Sequence, residues 1–126
     1  METPSNLRYT SDHEWVLIDG DIATIGITDY AQDALGDVVF VQLPNVGDAV
    51  KASASISEVE STKSVSDIYA PLSGEVVEVN ANLESDPSVL NSDAYGAGWI
   101  FKIRISNPAE VATLLSSADY LALIGN

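Results

Sequence analysis

Glu58-Val-Glu-Ser-Thr-Lys63-Ser-Val-Ser-Asp67-Ile-Tyr-Ala-Pro-Leu-Ser-Gly74 holds a single lysine between two strand-forming flanks. Val59 on one side, and Val65 and Ile68 on the other, favour extended backbone, while Ser61, Thr62, Lys63 and Ser64 make a short polar tip. The pattern predicts a β-hairpin that holds one amine out into solvent. An exposed primary amine stays protonated at neutral pH, and a Schiff-base lysine needs desolvation or a neighbouring cation to become a nucleophile. Glu60 and Asp67, where they face Lys63, act the other way and favour the ammonium form. Catalysis by the bare amine is not expected, so Lys63 reads either as a surface charge or as a point of attachment.

Outward from the hairpin, the sequence repeats itself. Gly36-Asp-Val-Val-Phe-Val41 and Gly74-Glu-Val-Val-Glu-Val79 share the pattern Gly-acid-Val-Val-x-Val on either side of Lys63. They suggest a pseudo-symmetric pair of sheets. Residues 13–18 and 22–27 are β-rich and joined by Asp19-Gly20-Asp21, a second hairpin. Thr28 or Asp29 caps a short helix carrying Tyr30, Ala31, Ala34 and Leu35, with Gly36 as its stop. Residues 38–43 are apolar enough to predict a central strand. Residues 50–59 show little period and read as strand only from their neighbours. Gly74 closes the turn begun at Pro71 and is a candidate for positive φ. Residues 80–93 read as loop with a helical turn after Asp86-Pro87, and residues 95–98 as a flexible link. Residues 99–105 alternate apolar and basic, a strand with one wet face, before a helix from Asn107-Pro108 and another over residues 118–123. The expected architecture is a mostly-β, flattened barrel of two antiparallel sheets with short helices towards both ends.

With 126 residues, one unit over 1–126 is expected, and 46% apolar composition is enough for a core. Nineteen acidic against five basic side chains, a formal charge of −14, disfavour nucleic acid and anionic membrane surfaces as partners. The absence of cysteine removes disulfides, thiolate metal sites and thiol nucleophiles. Neither a leader nor a run of about 18 apolar residues is apparent. A cytoplasmic monomer is expected, or a mitochondrial matrix one if a transit peptide has been removed. His13, the one histidine, reads as a structural or surface residue beside Glu14 and Trp15. Asp19 with Asp21 and Asp29 with Asp33 lack the spacing of a calcium loop and read as solvated charge.

Glu60-Ser-Thr-Lys63 followed by Ser66-Asp-Ile-Tyr-Ala-Pro-Leu-Ser-Gly-Glu-Val-Val-Glu-Val-Asn80 resembles the H-protein family of the glycine cleavage system. The resemblance extends in order through His13-Glu-Trp-Val16, Ala23-Thr-Ile-Gly-Ile-Thr28, Leu35-Gly36, Val38-Val-Phe-Val41, Asp86-Pro87, Asn91 and Gly98-Trp99, covering residues 7–120. It implies a lipoyl/biotinyl-type barrel-sandwich hybrid and lipoic acid joined to Lys63 by an amide. It also implies a carrier and not an enzyme. In the family it resembles, the arm takes an aminomethyl group from the pyridoxal-phosphate glycine decarboxylase (P protein) to the tetrahydrofolate-dependent aminomethyltransferase (T protein), and dihydrolipoyl dehydrogenase (L protein) reoxidises its dithiol. A lipoate ligase, or a lipoyl synthase and transferase, loads it. Glu60, Asp67 and Glu14 match positions implied in attachment recognition or arm contact. Ser57 and Glu58, Ser53 in place of a frequent glycine, and Ala94 in place of a proline depart from the family pattern. A 2-oxoacid dehydrogenase lipoyl domain normally ends in a Pro/Ala-rich linker, and a biotin carrier normally flanks its lysine with methionines; neither feature is present. A lipoyl relay to other acceptors, or a binding partner, remains the alternative role.

Overall fold

The computed structural model describes residues 3–125, and the expected unit over 1–126 runs past them at both ends. β1 (Arg8–Tyr9) pairs with β2 (Glu14–Asp19), and β2 pairs with β3 (Ile22–Ile27) across the Gly20 turn. α1 (Asp29–Leu35) follows at once, capped by the Thr28 hydroxyl, which accepts from Ala31 N, and ended by Gly36 at φ 82°. Then come β4 (Val38–Gln42), β5 (Ala49–Val50), β6 (Ser55–Ser61), β7 (Val65–Tyr69) and β8 (Gly74–Val79). Two helical turns, α2 (Asn82–Ser85) and α3 (Val89–Ser92), lead to β9 (Phe101–Ile105), a 3-10 helix over Pro108–Thr113 and α4 (Ser117–Leu123).

The strands form two antiparallel sheets, one in the order β1-β2-β3-β9-β8-β5 and the other β4-β6-β7. Val16, Ala23, Ile25, Phe101, Ile103 and Val76 of the larger sheet meet Val38, Val41, Val59 and Ile68 of the smaller in one core. Burying each valine, isoleucine or phenylalanine among them stabilises by about 1.5–3 kcal/mol. The larger sheet is covered on its other face too: Trp15, next to Val16, joins Leu7, Tyr9 and Tyr120 in a second cluster roofed by α4. That is why Glu14, Trp15 and Val16 are all buried, against the simple alternation of a half-exposed strand.

The internal repeat is structural. β4 is displaced in register against β6 between Val38 and Phe40, and β8 against β9 between Val76 and Glu78, the same step of each copy. Val38 and Val76 are both buried. In β4 the bulge turns Val39 and Phe40 together to solvent, 54% and 50% exposed. The expectation of a central strand over residues 38–43 is thus corrected: β4 is an edge, and its apolar run reflects the bulge instead of two buried faces. Residues 50–59 divide into β5 and β6 around a turn. Residues 95–98 are no loose link, because Gly96 N and Gly98 N both donate to the Asp93 carbonyl and Ala97 N to its carboxylate. In β9 the wet face holds as expected, with Arg104 exposed and Phe101 and Ile103 buried.

Candidate functional site

β6 and β7 form the hairpin, with Thr62, Lys63 and Ser64 at its tip. Ser61 organises the tip. Its amide donates to the Ser64 carbonyl at 2.8 Å, and its hydroxyl oxygen accepts from the amides of Ser64 at 3.0 Å and Lys63 at 3.3 Å. Thr62 N donates to the Asp37 carbonyl at 3.0 Å and pins the tip to the start of β4. The backbone around Lys63 is therefore held while its side chain is exposed.

The lysine methylenes rest over Gly36. A Cβ at that position would lie 3.2 Å from Lys63 Cε, and the φ of 82° already disfavours any side chain. Asn91 braces the same corner: its carboxamide accepts from Val38 N at 2.9 Å and donates to the Gly36 carbonyl at 2.9 Å and to Gln32 at 3.0 Å. One side chain thus fixes the end of α1 to the start of β4 beneath the amine.

From this corner a cleft of about 280 Å³ runs between α1 and β7. Its walls include Tyr30, Ala31, Leu35, Val65 and Ile68, with Asp12, His13 and Asp67 as its polar lining. Asp67 is exposed and pairs with Glu58 across the hairpin, two like charges whose repulsion no basic residue of this sheet except Lys63 can relieve. Glu60 is half-buried, opposite Val65 and Phe40. Glu14 is not in this cleft. At 1% exposure it spans the sandwich, accepting from Tyr69 N at 2.7 Å and from the Thr10 hydroxyl at 3.1 Å, and it borders an adjoining hollow of about 180 Å³. Asp12 lines both spaces, so the structure brings Asp67 and Glu14 to neighbouring pockets and not to one. Burial raises the Glu14 carboxyl to about 8, against the opposing effect of those two hydrogen bonds.

Sequence reasoning missed Gly36 and Asn91 as supports of Lys63. The repeat and the α1 stop signal pointed to Gly36; no local signal marked Asn91, which acts across more than fifty residues.

The family model described as Glycine cleavage H-protein matches residues 7–126. The chain belongs to the glycine cleavage H-protein family. It is 53% identical over 123 residues to the glycine cleavage system H protein of Beutenbergia cavernae, covering 98% of this chain and 97% of that one. It is 54% identical over 127 residues to that of Chlorobaculum tepidum, covering 99% of each. The crystal structure of a glycine cleavage system H protein from Mycobacterium marinum superposes with a TM-score of 0.90 at 46% identity, over 98% of this chain and 99% of that one.

Three positions that depart from the family pattern, Ser53, Ala94 and Ser57, are accommodated by their surroundings. Ser53 sits at φ 73°, the conformation a glycine would take without penalty. The Ala94 carbonyl accepts from Trp15 Nε1 at 2.9 Å, a role that proline would fill equally well. Ser57 is buried and its hydroxyl donates to the Gln42 carbonyl, which satisfies a polar group facing the core.

Proposed function

We propose that the chain is a lipoyl carrier, with lipoic acid attached to Lys63. The observation that carries this reading is Lys63 itself, exposed at a hydrogen-bonded hairpin tip in a chain of the H-protein family. The surroundings fit such a group: the amine is open to a modifying enzyme, and the cleft beside it offers Ala31, Leu35, Val65 and Ile68 to an aliphatic arm. When attached, the group supplies the dithiolane on which an aminomethyl unit is carried from glycine decarboxylase to aminomethyltransferase and which dihydrolipoyl dehydrogenase reoxidises.

The chain's own residues mount and shelter. The Ser61 and Thr62 bonds hold the attachment point still, so that motion is confined to the side chain. Glu60, three residues before Lys63, offers a carboxylate to the lipoate ligase or transferase. Asp67 and, in the next hollow, Glu14 suit a cationic cargo; an ammonium group beside Glu14 would draw its carboxyl back to the anion. We take the carrier to be one unit over residues 1–126 that works in the cytoplasm as a monomer without turnover of its own.

Intact mass after incubation with lipoate, ATP and a lipoate ligase tests attachment. The wild type gains one lipoyl group and Lys63→Arg gains none; an unmodified wild type or a modified variant removes the proposal. The lipoylated protein is then expected to support bicarbonate exchange into glycine with the cognate decarboxylase. Lipoylation without exchange would favour a relay role.

A further inference from the structure

His13 stands at φ 67°, left-handed backbone that is strained for a residue other than glycine. The residue is held there from the opposite end of the chain. Tyr120 of α4 is fully buried, stacked on Tyr9 with ring centroids 4.8 Å apart. Its hydroxyl lies 2.9 Å from His13 Nδ1 and 2.7 Å from Thr28 Oγ1. Thr28 Oγ1 in turn accepts from Ala31 N at 3.1 Å as the cap of α1, while Thr28 N donates to the His13 carbonyl at 3.0 Å. The chain Thr28 O–H to Tyr120 O–H to His13 Nδ1 satisfies all three atoms with a neutral imidazole. The His13 ring also meets Tyr30 of α1 at 4.8 Å between centroids. His13, Tyr30 and Ala31 are all walls of the cleft beside Lys63; Tyr120 is not.

We propose that Tyr120 is a positioning residue for this cleft: from the C-terminal helix its hydroxyl sets both the His13 ring and the first turn of α1, and so the wall against which the lysine-borne arm lies. The inference rests on the lipoyl reading of Lys63. The fold needs the Tyr120 ring for packing, but the ring alone would serve that purpose. A hydroxyl shared between a strained histidine and a helix cap is a device for placing two elements relative to each other, and both border the cleft. Thr28 and Tyr120 are both fully buried, so a Thr28 hydroxyl left without Tyr120 would have no water to turn to.

The test is Tyr120→Phe, which keeps the stacked ring and removes the hydroxyl, with intact mass confirming full lipoylation of Lys63 first. Absence of lipoylation in the wild type would overturn the reading beneath the inference, and the inference with it. Backbone amide NMR spectra of the unmodified and lipoylated wild type are expected to differ at residues 30–35 and 66–68, where the arm lies. In lipoylated Tyr120→Phe those differences shrink as the occupancy ratio of the cleft falls about fivefold, the size expected for one net hydrogen bond. Val76→Ala, a cavity variant at a core residue that does not line the cleft, lowers the melting temperature but keeps the arm-dependent differences. The proposal is overturned if the Tyr120→Phe differences match the wild type, if Val76→Ala loses them equally, or if the lipoylated wild type shows none at the cleft.

Discussion

Glu14 is placed by the sequence at the mouth of a strand, where an acid is unremarked, and by the fold almost wholly out of water. Burial raises its carboxyl from 4.5 to about 8, so the folded chain keeps a proton that the unfolded chain releases. The resulting stabilisation is complete below the unfolded value and is lost as pH rises through the folded one. Wild-type unfolding free energy, read from urea titrations, is expected to fall between about pH 5 and pH 8 by up to ~1.4 kcal/mol per pH unit. Glu14→Gln, which mimics the protonated acid, should flatten that slope; equal slopes would count against a neutral Glu14. Ser53 makes a simpler residue-scale case. Its φ of 73° carries a cost that glycine avoids, partly offset by the greater freedom of glycine in the unfolded chain. Ser53→Gly is expected to raise stability by about 0.5–1 kcal/mol in thermal unfolding, and a loss would show that Ser53 holds something beyond its backbone angle.

The elements were legible wherever period and punctuation were strong. The Gly20 hairpin, the α1 cap and stop, β8, the alternating β9 and the terminal helix follow the sequence expectation because each rests on neighbours in the chain. Gly74 shows where that reasoning stops. It is not among the glycines with positive φ; it is needed because a Cβ would overlap the Arg104 carbonyl of β9, its neighbour in the sheet. Glycine is needed at 74 for the space it leaves to β9 and not for a positive φ. Gly74→Val should therefore destabilise by about 3 kcal/mol through overpacking, checked by denaturant unfolding. A neutral variant would mean that β8 and β9 separate at little cost. The edge position of β4 was likewise hidden, since a bulge that turns two apolar residues outward reads as continuous burial.

Across the whole molecule, charge is segregated. Arg8, Lys102 and Arg104 belong to the six-stranded sheet and Lys51 follows β5, while the three-stranded sheet carries Lys63 alone among basic residues. Both ion pairs among the described residues, Lys102 with Glu78 and Arg104 with Asp21, are on the larger sheet. Amide formation at Lys63 would remove the one cation of the smaller sheet and leave Glu58, Glu60 and Asp67 without an opposing charge on it. Association of the lipoylated protein with a partner enzyme is expected to slow by about tenfold or more from low to physiological ionic strength, with dissociation changed less. Stopped-flow mixing at several salt concentrations reads this directly, and a salt-independent rate would exclude steering by this face.

By itself, the sequence determined the lysine hairpin, the repeat on either side of it, the β-rich class and the family, because these depend on short-range pattern and on a long collinear set of residues. Only the tertiary structure decided that Glu14 is buried and apart from Asp67, that Asn91 and Gly36 support Lys63, and that Tyr120 reaches back to His13. Each of those facts is a contact or a burial between segments far apart in the chain, set by how two sheets pack, and chain order does not record it.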